Sequence, residues 1–153
     1  MRPKPHIVIG IIFVISLYFL FPKISLISLL IIFSSSVLID FDHCIYYFIR
    51  EKDLSLKRCY QWYDKELKKT LALPMNERKK RYIGFFIFHG LEPMIILFLL
   101  GVFVSPFFLF VAIGVLLHFV VDVPHEYYVK RTIQKISLIY NYTQWKKLEK
   151  FSN

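Results

Sequence analysis

The sequence predicts an all-α polytopic membrane protein, a four-helix transmembrane bundle with amphipathic helices at the membrane interface. Three observations carry that prediction. The 153 residues are 56% hydrophobic and 18% aromatic, and a mean hydropathy of +0.50 lies beyond the range of ordinary soluble domains. The apolar residues gather into four blocks, about 6–21, 24–43, 83–104 and 106–123. The basic residues fall between and after those blocks.

The first two blocks form an expected hairpin. Arg2 and Lys4 before an apolar run resemble the start of a signal peptide. No small-residue cleavage site follows, however, and Phe21-Pro22-Lys23 leads straight into the second block, so a retained segment is expected. The first block has sixteen residues, and at 1.5 Å per residue it covers roughly 24 Å of a hydrocarbon core of about 30 Å. The pair therefore either spans with help from its polar ends or dips into one leaflet.

The segment 50–82 carries eleven Lys and Arg against five Asp and Glu. Within it, Leu56, Cys59, Tyr60, Tyr63, Leu67 and Leu71 recur at helical spacing, which predicts an amphipathic interface helix over about 55–72. Leu73-Pro74 ends that helix. Asn76 is then the expected N-cap of a helix that continues through Glu77–Arg81 into the third block. Pro93 inside the third block predicts a kink near His89. Beyond the fourth block, the stripe Val129, Ile133, Ile136 and Tyr140 predicts a surface helix over about 126–141, and 142–153 is assigned no structure.

Basic residues number two before the first block, one between the first and second, eleven in the central loop, none between the third and fourth, and six after the fourth. The positive-inside rule places both termini and the loop in the cytoplasm, in a multi-pass protein of the inner cell membrane. This distribution favours the bilayer and its anionic lipid headgroups as partners, and not nucleic acid. Cys44 and Cys59 lack zinc-finger spacing and are expected as reduced thiols.

Ionisable residues in or beside apolar blocks are costly, and so point to function. Asp40 is the first charge after the sixteen uncharged residues of Ile24–Ile39, and Asp42 and His43 follow it at once. His89 and Glu92 lie in the third block; His118 and Asp122 are four apart in the fourth, with His125 just beyond. In the expected topology all of them reach the cytoplasmic end. His6 starts the first block there and is read as an interfacial residue. Imidazoles with carboxylates suit a divalent metal, Zn first, with Mn, Fe or Mg as alternatives. The expected ligands are Asp40, Asp42, His43, His89, His118, Asp122 and His125. Glu92 is the expected general base, with Asp42 as a second catalytic candidate. More than four donors leaves room for a second metal or a spare base.

Two known motifs are excluded. His125-Glu126 begins the zinc-protease pattern, but Val129 occupies the position of its second His. His118-x3-Asp122 is similar to the last motif of lipid phosphate phosphatases, yet Ala112 stands where an Arg is required.

Together, Leu38-Ile39-Asp40-Phe41-Asp42-His43, Phe88-His89-Gly90-Leu91-Glu92 and Leu117-His118-Phe119-Val120-Val121-Asp122 resemble the membrane-bound metal-dependent hydrolase family of small prokaryotic inner-membrane proteins. His6-x3-Gly10 matches that family's early His followed by Gly. The family's third motif usually reads His-Arg-Gly-x-Thr-His-Ser, of which this chain keeps only His89. The resemblance implies metal-dependent hydrolysis of an unknown substrate, with a lipid or phosphoester as the candidate class. The alternative is a non-enzymatic membrane protein, either a metal-ion carrier or a structural or assembly factor whose polar cluster is structural. A carrier needs a polar path across the bundle, and the outer half offers only Ser16, Ser25, Ser28 and Ser34–Ser36.

Overall fold

The computed structural model describes residues 3–84, 86–133 and 136–149. It is all-helical, with no strand among the described residues. Two helical stretches are long and apolar enough to cross a membrane: Leu26–Glu51, counted through a turn at Ile39–Asp40, and Phe107–Lys130. The chain divides into two compact units, Arg2–Asp40 with Leu91–Asp122, and Phe41–Gly90 with Val123–Asn153.

The first unit contains α1 (Pro3–Leu20), α2 (Leu26–Leu38), α6 (Leu91–Phe103) and α7 (Phe107–Lys130) as far as Asp122. The turn after α1 hands over to Ser25, whose hydroxyl caps α2 by accepting the Ser28 N–H at 3.0 Å. α1 and α2 pack together across Gly10, where a Cβ would stand 3.0 Å from Ser36 Oγ and 3.1 Å from the Phe33 ring. At Gly114 of α7 a Cβ would collide with Ser35 Oγ and the Ile32 carbonyl of α2. Glycine is therefore what lets α2 and α7 approach backbone to backbone. The second block does not stay one unbroken helix: it turns at Ile39–Asp40. Just before that turn, the Ser35 hydroxyl bonds back to the Ile31 and Ile32 carbonyls and Ser36 to Phe33, competing with the helical ladder.

The third block also departs from expectation. Its helix begins only at Leu91, so Pro93 lies in the first turn, where the missing N–H has no helical acceptor to lose and no kink is required. Thirteen residues give α6 roughly 20 Å of length.

The second unit contains α3 (Phe41–Glu51), α4 (Leu56–Ala72), α5 (Met75–Arg78), the end of α7 from Val123, and α8 (Leu138–Glu149). Its core is aromatic: Tyr47, Cys59, Tyr63 and Phe86 are buried, with Tyr46, Phe48 and Trp62 packed around them. Ser55 caps α4. α5 is a single turn that follows Pro74 with no side-chain cap, not a helix N-capped by Asn76 that runs on into the third block. The cause is local, because the Arg78 guanidinium folds back to donate to the Leu73 and Leu71 carbonyls at 2.8 and 2.6 Å, closing the end of α4. The described residues of 83–90 are not helical; burial of Phe86 and His89 holds them instead.

α7 continues through Pro124 to Lys130, then stops where Arg131 adopts φ 56°, the left-handed conformation of a helix end. The last surface helix is accordingly α8, displaced from 126–141 toward the C-terminus. Gln134 and Lys135, within the expected helix, lie outside the described residues, as do the last four residues of the tail.

Candidate metal centre

In the first unit, four ionisable side chains from two helices and one turn meet. His6 comes from α1, Asp40 from the turn after α2, and His118 and Asp122 from α7, one helical turn apart. His6, His118 and Asp122 are buried to 4%, 1% and 2% exposure, and Asp40 retains 16%. His118 Nδ1 lies 2.8 Å from the Ser36 carbonyl oxygen. A carbonyl only accepts, so the proton sits on Nδ1, and in the neutral ring Nε2 carries the lone pair. That Nε2 lies 3.5 Å from Asp40 Oδ1 and 3.5 Å from Asp122 Oδ2. His6 stacks on His118 with ring centroids 4.1 Å apart, and its Nε2 is 3.2 Å from Asp122 Oδ1 and 4.0 Å from Asp40 Oδ2. His6 Nδ1 is buried without a hydrogen-bond partner among the described residues.

A lone pair facing two carboxylates in a dry pocket is repulsive unless a proton or cation lies between them. Two carboxylates and two ring nitrogens together are also the donor set that suits a divalent cation. Tetrahedral zinc holds its ligands at about 2.0–2.2 Å, which puts ligand atoms roughly 3.3 Å from one another. The separations of 3.2, 3.5, 3.5 and 4.0 Å bracket that value. Ligand atoms of Asp40, His118 and Asp122 all lie within 4.8 Å of one another. This buried His and Asp cluster can hold a metal ion.

The packing that builds the cluster also explains its glycines. Gly10 follows His6 by four residues and Gly114 precedes His118 by four, so each glycine shares a helix face with its histidine. The close approach at Gly114 brings α7 onto α2 one turn before His118 reaches the Ser36 carbonyl.

The second unit gathers Asp42, His43 and His89, whose candidate ligand atoms also lie within 4.8 Å of one another. The chemistry there is different. His43 Nδ1 is 2.7 Å from Asp42 Oδ1, and His89 Nδ1 is 3.1 Å from Asp42 Oδ2, which also accepts the Phe88 N–H at 3.3 Å. The Phe86 ring stacks on His43 at 3.8 Å, and the Tyr63 hydroxyl donates to the His43 carbonyl at 2.9 Å. Burial raises the Tyr63 phenol well above its ordinary range, so it remains a donor. Beside this group, Cys59 and Cys44 are free thiols with Sγ atoms 3.4 Å apart. Burial, followed by the Cys44 hydrogen bond, pushes the Cys59 thiol up to about 12.

The remaining expected site residues lie elsewhere. Glu92 is the second residue of α6, half-buried, and His125 is exposed on α7; both stand outside the two described ligand groups. His89 precedes α6 instead of lying inside it. His6, read from the sequence as interfacial, is a buried member of the first cluster, and its pairing with Gly10 was the available signal. No protein-family model, curated protein or solved structure matches this chain.

Proposed function

We propose that the chain is a four-span protein of the inner cell membrane with both termini cytoplasmic, holding a divalent cation, zinc first, at His6, Asp40, His118 and Asp122. We assign it to metal-dependent hydrolysis of a lipid ester or phosphoester, the chemistry implied by its resemblance to the membrane-bound metal-dependent hydrolases. One observation carries the metal reading: a His118 ring fixed by a backbone carbonyl, with its lone pair toward two carboxylates. Membrane residence is supported by the two long apolar helices and by outward apolar side chains such as Phe19, Ile27 and Phe103. α1 and α6 are shorter apolar helices, and they cross in this reading with help from their ends.

When bound, the cation supplies Lewis acidity and makes a water molecule more acidic. The protein's part is to hold the pocket dry and to fix His118 in one tautomer. Glu92, at the start of α6 in the same unit, remains the proton acceptor in this assignment.

Metal analysis of the purified full chain in detergent tests the reading. About one zinc per chain is expected, falling to none in Asp40→Ala or His118→Ala, together with chelator-sensitive release of product from mixed lipid esters and phosphoesters. A zinc content unchanged by either substitution, or no bound metal in the parent protein, refutes it. Loss of stability with no change in metal content would identify the cluster as structural.

A further inference from the structure

We infer that Asp42 is a positioning residue, not a metal ligand: one carboxylate fixes the tautomers of His43 and His89 together, presenting the Nε2 of each as a donor nitrogen. This rests on the metal-protein reading above and deepens it. A carboxylate oxygen accepts and never donates, so the contacts at 2.7 and 3.1 Å require a proton on Nδ1 of both rings. With the Phe88 N–H on Oδ2, Asp42 already accepts three hydrogen bonds of about four lone-pair sites. Its two oxygens are engaged by ring N–H groups, whereas a ligand carboxylate turns at least one oxygen to the cation. Metal-binding histidines commonly donate their second N–H to a carboxylate, which orients the ring and raises its basicity.

The surrounding contacts serve the same end. The Phe86 stack fixes the plane of His43, and Tyr63 anchors its backbone. His43 and His89 meet edge to face with centroids 4.7 Å apart. Asp42, His43 and His89 are each less than a tenth exposed, so water does not compete for the two ring N–H groups. Sequence alone marked Asp42 as ligand and catalytic candidate; the hydrogen-bond geometry gives it a different task.

The test begins without metal. In the full chain labelled with 15N-histidine, stripped of metal in detergent and held at about pH 8.5, where an ordinary imidazole of pKa ~6.5 is neutral, long-range 1H–15N correlations report which nitrogen is protonated. His43→Asn and His89→Asn assign the two signals. Both rings are expected in the Nδ1–H form, and an Nε2–H ring at either position overturns the inference. In Asp42→Asn the carboxamide has a single accepting oxygen, so at least one ring should change tautomer.

Zinc titration then separates ligand from positioner. In the titration the Nε2 atoms of His43 and His89 are expected to take an added zinc beyond the one at His6, Asp40, His118 and Asp122. Asp42→Asn should keep that added zinc but bind it 10–100-fold more weakly. A lost zinc equivalent, as expected for Asp122→Ala, makes Asp42 a ligand and overturns the inference. Absence of zinc from the parent protein overturns the functional reading instead, and the metal-free tautomers still decide the role of Asp42.

Discussion

The two units hold histidines beside aspartates in opposite ways. In the first, a backbone carbonyl takes the His118 Nδ1 proton and the carboxylates of Asp40 and Asp122 face Nε2. In the second, the Asp42 carboxylate takes the Nδ1 protons itself. The residue types are the same, but the electrostatic balance is not. Two carboxylates facing a lone pair call for a cation, whereas a carboxylate facing two N–H groups is already satisfied. The supports differ too. The first cluster depends on helices in backbone contact at glycine, the second on ring stacking and a phenol.

The strongest way to break the first arrangement is at Gly114. A methyl group there meets Ser35 Oγ and the Ile32 carbonyl, and Ser36 N at 3.0 Å. The backbone atoms cannot swing aside, so α2 and α7 must separate. Overpacking of this kind costs about 3 kcal/mol, offset by roughly 1 kcal/mol of helix propensity gained over glycine. Gly114→Ala should therefore lose about 2 kcal/mol by thermal unfolding in detergent, and the proposed metal binding at the cluster should weaken with it, because the Ser36 carbonyl moves away from His118. Gly10→Ala is the control. Its neighbours are the Ser36 hydroxyl and the Phe33 ring at 3.0–3.3 Å, which yield by a few tenths of an ångström, so stability should change by less than about 1 kcal/mol. Equal losses in the two variants would show that the α2–α7 approach does not set the cluster.

How much of this was legible follows from where each signal resides. The pairing of His118 with Asp122 is written in i,i+4 spacing on one helix, and the Asp40 to His43 stretch announces itself by breaking an apolar run. The place of His6 depends on how α1 packs against α2, and its trace in the letters is the i,i+4 spacing of His6 and Gly10 and not any apolar periodicity. Ser36 contributes a carbonyl, a group every residue has, so no side chain could flag it. Ile83–Gly90 is as apolar as a helix, and only the burial of Phe86 and His89 separates the two outcomes. Nothing in the letters distinguishes an aspartate that accepts from N–H groups from one that faces a lone pair.

A milder substitution sharpens the second arrangement. Tyr63→Phe removes the donor to the His43 carbonyl and keeps the ring between Trp62 and His43. The expected cost is about 1 kcal/mol in unfolding free energy, the ordinary net value of one hydrogen bond. The His43 tautomer should survive, since Asp42 still holds Nδ1. A change of tautomer without greater loss of stability would transfer the positioning role from Asp42 to Tyr63.

The smallest effect lies at the junction of α3 and α4. Asp53 accepts from Arg58 Nε at 2.5 Å and Nη2 at 2.6 Å, from the Tyr47 hydroxyl at 2.6 Å and from Ser55 N at 3.0 Å. The Arg58 guanidinium, and after it Tyr47, hold the Asp53 carboxyl well below its ordinary value of 3.8. A carboxyl depressed by folding contributes stability that is complete above the unfolded value and is lost as pH falls toward the folded one. Between pH 7 and about 4 this group should leave the unfolding midpoint level, and below that the midpoint should fall. Arg58 is 66% exposed, and solvent screens the pair, so the contribution is small. Asp53→Asn should be slightly less stable than the parent at pH 7, and the two should converge in acid. A difference that persists unchanged at about pH 2.5, well under the ordinary carboxyl range, would show that Asp53 acts through hydrogen-bond geometry and not through its charge.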